Sequence, residues 1–95
     1  MSTTEHSPAV VTLVHSTACH FCDDAAATLD ALAATHPLEI RTVALDSPEG
    51  VDLVARHRPA MNPLVLIDGE YFSSGRLPRK KLIKQLDERA AAGVR

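Results

Sequence analysis

A chain of 95 residues has room for one domain around one hydrophobic core. Hydrophobic residues make up 45% but aromatics only 3%, and tryptophan is absent, so that core must be built from Val, Leu, Ile and Ala. A net charge of −2 gives no basis for binding nucleic acid or an anionic membrane surface, and no apolar run approaches the ~20 residues of a membrane span.

Residues 1–8 read as a polar N-terminal tail that ends at Pro8. They include Glu5 and His6 and lack the basic start and apolar centre of an export signal. The expectation is therefore a cytoplasmic protein in a reducing compartment. The domain itself is expected over residues 9–92. Ala9 to Val14 is short, apolar and β-branched, which predicts a buried central strand. His15 to Ala18 leaves that strand, with Ser16 or Thr17 available to cap a helix from about Cys19 to Thr35. Cys22, Ala25, Ala26, Leu29, Leu32 and Ala33 recur at helical spacing and mark its buried face, and His36-Pro37 ends it.

Leu38 to Val43 alternates apolar with polar residues and predicts a half-exposed strand at a sheet edge. Ser47-Pro48-Glu49 opens a second helix, Ser47 as cap and Pro48 in the first turn, running to about His57 and burying Val51, Val54 and Ala55. Arg56, His57 and Arg58 read as its solvated end. Met61-Asn62-Pro63 precedes a third, wholly apolar strand, Leu64 to Ile67. Asp68-Gly69 is a tight-hairpin signal, with Tyr71-Phe72-Ser73 as the returning strand. Pro78 opens a last helix to about Ala92, its apolar face Leu82, Ile83, Leu86 and Ala90, with Lys80, Lys81, Lys84 and Arg89 toward water or a partner.

The two cysteines of the chain stand three apart, as Cys19-His20-Phe21-Cys22. On a helix that spacing brings Cβ atoms to about 5–6 Å, close to what a disulfide needs. The N-terminal end of a helix offers unpaired N–H groups and partial positive charge, which stabilise a thiolate. Cys19, at that end, is expected to be the exposed nucleophile, and Cys22, one turn in, the shielded resolving thiol. Zinc would need four ligands; there is no second C-x-x-C, and His15, His20 and His36 lack the usual paired spacing. A purely structural disulfide belongs with more cysteines and an export signal. A redox-active pair is the leading reading in a βαβ setting, with a zinc-binding module and a structural disulfide as its alternatives.

The element order β-α-β-α-β-β-α, the C-x-x-C after the first strand and Pro63 before Leu64-Val65-Leu66-Ile67-Asp68-Gly69 together resemble the thioredoxin fold in its short glutaredoxin-like form, over roughly residues 9–90. The resemblance implies an α/β fold with a four-stranded mixed sheet flanked by three helices. It implies a cis bond at Asn62-Pro63 facing the cysteine pair and exposing the preceding backbone to an extended substrate. The chain departs from common glutaredoxins: Phe21 stands where they carry tyrosine, and Ser73 to Pro78 replaces their Gly-Gly-x-Asp-type segment, leaving no acidic residue there for a glutathione amine. The Gly-Pro dipeptide of thioredoxins is also absent from the pair. Ser74-Gly75-Arg76-Leu77-Pro78 is partly similar to the Ser-Gly-Phe-Arg-Pro segment of NrdH-type redoxins, which receive electrons from thioredoxin reductase.

What the resemblance implies is a thiol–disulfide oxidoreductase with Cys19 and Cys22 as catalytic residues. His20, Phe21, Asn62, Pro63, Gly75 and Arg76 would line its substrate site. No metal or bound cofactor is expected. His20 either helps hold the Cys19 thiolate or faces water, and His15 reads as an exposed loop residue. Expected partners are disulfide-containing proteins, with thioredoxin reductase or a low-molecular-weight thiol as electron donor, to a chain acting as a monomer without nucleic acid or membrane. Arg76 and the Lys80-Lys81 pair are available for carboxylates of such a thiol. The competing class is a redox sensor or binding module with the same fold, in which disulfide formation alters a partner surface.

Overall fold

In the structure, a computed structural model that describes residues 8–93, seven elements follow in the anticipated order. They are β1 (Ala9–His15), α1 (His20–Ala33), β2 (Leu38–Ala44), α2 (Pro48–His57), β3 (Leu64–Ile67), β4 (Glu70–Ser74) and α3 (Arg79–Gly93). The expected tail lies outside the described residues except for Pro8, as does the Ala90 side chain. No helix among the described residues is long and apolar enough to cross a membrane.

The strands form one mixed sheet in the order β2-β1-β3-β4. β1 runs parallel to β2 and antiparallel to β3, and β3 and β4 form an antiparallel hairpin. The two central strands carry the continuous apolar runs, because both their faces are covered. Their period of two sorts the side chains into two cores. Val11, Leu13, Val65 and Ile67 pack with Ala25 and Leu29 of α1 and Leu82 and Leu86 of α3. Val14, Leu64 and Leu66 face the other way and pack with Val43, Leu53 and Val54, which places α2 alone on that side. β2, at the edge, shows the half-exposed pattern its alternation predicts.

The Asp68-Gly69 turn has positive φ at both residues, 52° and 86°, as a tight two-residue hairpin requires. Asp68 also ties the turn to β1: its N–H donates to the Val10 carbonyl at 2.8 Å, and its carboxylate accepts from the Val10 N–H at 3.0 Å. Partial burial works to raise the Asp68 pKa, but the Val10 hydrogen bond and the Arg89 guanidinium, 2.7 Å away, outweigh it and hold the group below its ordinary value. Arg89 is thus engaged in the fold rather than turned wholly to water.

The helices depart from expectation in instructive ways. α1 ends at Ala33, two residues early, and Ala33 is exposed while Thr28 is buried. α2 starts as expected, Ser47 accepting from the Gly50 N–H at 3.0 Å with Pro48 in the first turn. Its buried face is nevertheless rotated: Val51 is 58% exposed and Ala55 is exposed, while Gly50 is buried and Leu53, Val54 and His57 turn inward. Gly50 causes this. A Cβ there would collide with the Ala44 carbonyl and lie 2.8 Å from the Leu45 oxygen, so the helix seats its glycine against the β2–α2 connection. Positions 53, 54 and 57 follow on the same face. His57 is accordingly half-buried, its Nε2 enclosed without a partner, and is not the solvated end that the basic run suggested.

α3 buries Leu82 and Leu86 but leaves Ile83 36% exposed. Its first turn is Arg79-Lys80-Lys81, with no acidic residue. Cations at that pole oppose the helix dipole, at about 0.3–1 kcal/mol each.

Candidate functional site

β1 delivers the chain to the site at His15. A turn follows, and Ala18 takes a left-handed conformation, φ 52°. That reversal delays the helix, so Cys19, and not Ser16 or Thr17, is its N-cap, with extended backbone and φ −118°. The sulfur of Cys19 does the capping, accepting from the Cys22 N–H at 3.1 Å, while the Cys19 carbonyl accepts the first helical bond from Asp23 N–H at 3.0 Å. Cys19 and Cys22 are joined as a disulfide, their Cα atoms 5.1 Å apart. Reduction puts a thiol or thiolate where the accepting disulfide sulfur now sits. The two sulfurs are unequally placed: Cys19 is partly accessible and Cys22 only 3% exposed. His20 is exposed and Phe21 is 40% exposed between them.

Strand register brings a second segment to this end of the sheet. Val14 pairs with Leu64, and Leu64 with Ser74. One step beyond, the chain leaves the sheet at His15, Pro63 and Gly75. The Asn62-Pro63 peptide is cis. Pro63 is fully buried, Asn62 half-buried, and the Gly75 N–H donates to the Pro63 carbonyl at 3.0 Å. Gly75 is itself buried with φ 83°, and a Cβ there would stand 3.4 Å from Cβ and Sδ of Met61. Asn62, Pro63 and Gly75 are therefore one joined unit. Arg76, next in the chain, is exposed and belongs to a groove that also includes Asp24 of α1 and Arg79, Lys80 and Lys81 of α3.

Two residues of this region were passed over in the sequence. Met61, beside Gly75, is 55% exposed and presents apolar surface at that segment. Its position directly before Asn62-Pro63 was the available signal. The sequence suggests an exposed loop residue at His15, but it is the last residue of β1, half-buried, and lines a cleft with Cys22, Ser16, Asp23 and Thr42. Only the strand's extra residue, fixed by pairing with Ala44 of β2, reveals this. Among the described residues no group of three or more His, Cys, Asp or Glu is placed to hold a metal ion.

Such an arrangement can carry two electrons as a reversible dithiol–disulfide couple, with one sulfur open to attack and the other held behind it. No protein-family profile matches the chain, and no curated protein matches it by sequence. Solved structures do. The solution structure of an uncharacterized thioredoxin-like protein from Clostridium perfringens aligns with a TM-score of 0.67 at 14% identity, over 88% of this chain and 72% of that one. The solution structure of a thioredoxin from Thermus thermophilus aligns with a TM-score of 0.58 at 24% identity, over 94% of this chain and 78% of that one. The fold is thioredoxin-like.

Proposed function

We propose that the chain is a small dithiol–disulfide oxidoreductase acting in the cytoplasm as a monomer. The observation that carries the reading is the unequal placement of one cysteine pair at a helix start: Cys19 accessible at the N-cap, Cys22 buried one turn in. In the reduced protein the Cys19 thiolate attacks a substrate disulfide. A Cys19–substrate S–S bond forms, the substrate's own bond breaks, and the leaving sulfur takes a proton. Cys22 then gives up its proton and attacks the Cys19 sulfur. The internal disulfide forms, the second substrate thiol departs, and two electrons have passed to the substrate.

His20, Phe21, Asn62 and Arg76 are the proposed substrate contacts, with the buried Pro63 and Gly75 shaping the backbone beside Asn62 and Arg76. An extended substrate backbone beside Asn62-Pro63 would continue the sheet's pairing logic. For the electron donor we favour a flavoprotein thioredoxin reductase with NADPH, as in NrdH-type redoxins. The support is the Ser74 to Pro78 segment, which lacks a carboxylate to grip a glutathione amine; the carboxylate in the neighbouring groove is Asp24, from α1. The test supplies oxidised protein with either thioredoxin reductase and NADPH or a glutathione system and follows NADPH loss. Turnover with the reductase is expected. Turnover with glutathione and none with the reductase would restore the plain glutaredoxin reading, and none with either would point to another low-molecular-weight thiol or to the sensor.

A further inference from the structure

Half of the chain's Lys and Arg residues fall within residues 71–86, as Arg76, Arg79, Lys80, Lys81 and Lys84, with no acidic residue among them. The rest of the chain holds the other five cations and all twelve carboxylates, a balance of −7. The fold sets one carboxylate, Asp24, in the groove with these cations but forms no ion pair with them among the described residues. All five side chains are exposed. Elsewhere Arg41, Arg56 and Arg89 each meet a carboxylate, at 2.8, 3.0 and 2.7 Å. Among the described residues none of the five has such a partner, and Lys81 lies instead over the Phe72 ring, 5.4 Å from its centre. Three of them also occupy the first turn of α3, where they oppose the dipole. Lys80 and Lys84, one turn apart, repel each other. In the first turn of α3, folding alone would be better served by acidic residues.

We propose that this face docks an acidic segment of a protein partner. The groove lined by Arg76, Leu77, Pro78 and Arg79 is bounded by Asp24 of α1, the helix that starts at the cysteine pair, and Arg76 follows Gly75 at the end of the sheet where β1 leads into that pair. Resting on the oxidoreductase reading, the partner's disulfide engages Cys19 while carboxylates flanking that disulfide are held by residues 76–84. Long-range attraction of this kind raises the encounter rate and selects among partners. A nucleic acid fits less well: Phe72, the ring under Lys81, is buried and offers no stacking surface.

The experiment measures the fluorescence anisotropy of two labelled, cysteine-free peptides, one Glu-rich and one its Lys-for-Glu counterpart, with the full chain. Wild-type protein is expected to bind the Glu peptide at least about tenfold more tightly at low salt. The preference should collapse near about 0.5 M salt, where the screening length falls to on the order of 4 Å. The double variant Arg79→Glu/Lys84→Glu should lose the preference. It should also melt at a higher temperature, since a carboxylate then enters the first turn of α3. Equal binding of both peptides, a preference that survives the double variant, or displacement of the Glu peptide by equimolar RNA oligonucleotide overturns the proposal. Reduction of 2-hydroxyethyl disulfide, neutral and too small to reach the face, should be the same in both proteins. If wild type fails to reduce it yet shows the peptide preference, the docking face stands and the oxidoreductase reading falls.

Discussion

The backbone N–H of Cys22 donates to the sulfur of Cys19 at 3.1 Å, so the helix is capped by a sulfur of its own disulfide. A hydrogen bond to a charged acceptor is roughly twice as strong as one to a neutral acceptor. The same contact therefore favours the Cys19 thiolate once the disulfide is reduced, together with the positive pole of α1. Cys22 has no such position and is 3% exposed. In reduced protein near neutral pH, iodoacetamide should label Cys19 at least about tenfold faster than Cys22. Peptide mass mapping of a time course reads this directly, and equal rates would contradict the assignment.

Gly50→Ala should destabilise the protein, against the usual rule. Alanine in a helix interior normally gains about 0.8–1 kcal/mol over glycine. Here the added methyl would meet the Ala44 and Leu45 carbonyls, which are backbone and have nowhere to go. A loss of about 1–3 kcal/mol is expected, as for an overpacked core. Urea unfolding measures it; a stabilised variant would mean that α2 does not seat against the β2–α2 connection.

At Gly75 the obstacle is conformational first. A residue with a Cβ at φ 83° pays about 1–2 kcal/mol, or roughly 4–8 °C of Tm per kcal/mol in a domain this size. The methyl would also press on Met61 at 3.4 Å. Gly75→Ala should therefore lower Tm by several degrees and slow reduction of a protein disulfide more than that of a small neutral one. An unchanged Tm would show that the loop relaxes freely.

Asp68 sets a pH dependence. Its folded pKa is lowered, so its contribution is present above the unfolded carboxylate value of about 3.9 and is lost as pH falls through the lower folded value. The side chain is 40% exposed, which limits its ion pair with Arg89 to about 0–1 kcal/mol. Asp68→Asn should cost that amount at about pH 6, and the gap between the two proteins should close in acid. A gap that stays constant as the pH falls to about 2 would contradict the role given to the carboxylate.

The element order was legible because each apolar run carries its own period: continuous in β1 and β3, alternating in β2, helical in α1 and α3. Ser47-Pro48 and Asp68-Gly69 acted as local signals and formed what their chemistry predicts. What escaped depended on contacts distant in sequence or on single dihedral angles. The rotation of α2 is decided by Gly50 against Ala44 and Leu45, and no pattern within the helix records it. The cap passed from Ser16 or Thr17 to Cys19 because Ala18 adopts positive φ, a conformation its residue type does not advertise. His15 joined the Cys22 cleft through pairing with Ala44. The segment Asn62, Pro63 and Gly75 could be named from resemblance, but its union through the Gly75–Pro63 hydrogen bond is a property of the sheet.

Trapping the covalent intermediate tests the central claim most directly. Reduced Cys22→Ser protein, mixed with oxidised insulin in the absence of other thiols, should accumulate one mixed disulfide, located by mass spectrometry at Cys19 and released by dithiothreitol. Reduced Cys19→Ser protein should form none on the same timescale, because its remaining thiol is buried. A mixed disulfide at Cys22 in the Cys19→Ser protein, formed as fast as the one at Cys19, would contradict the division of labour on which the account rests.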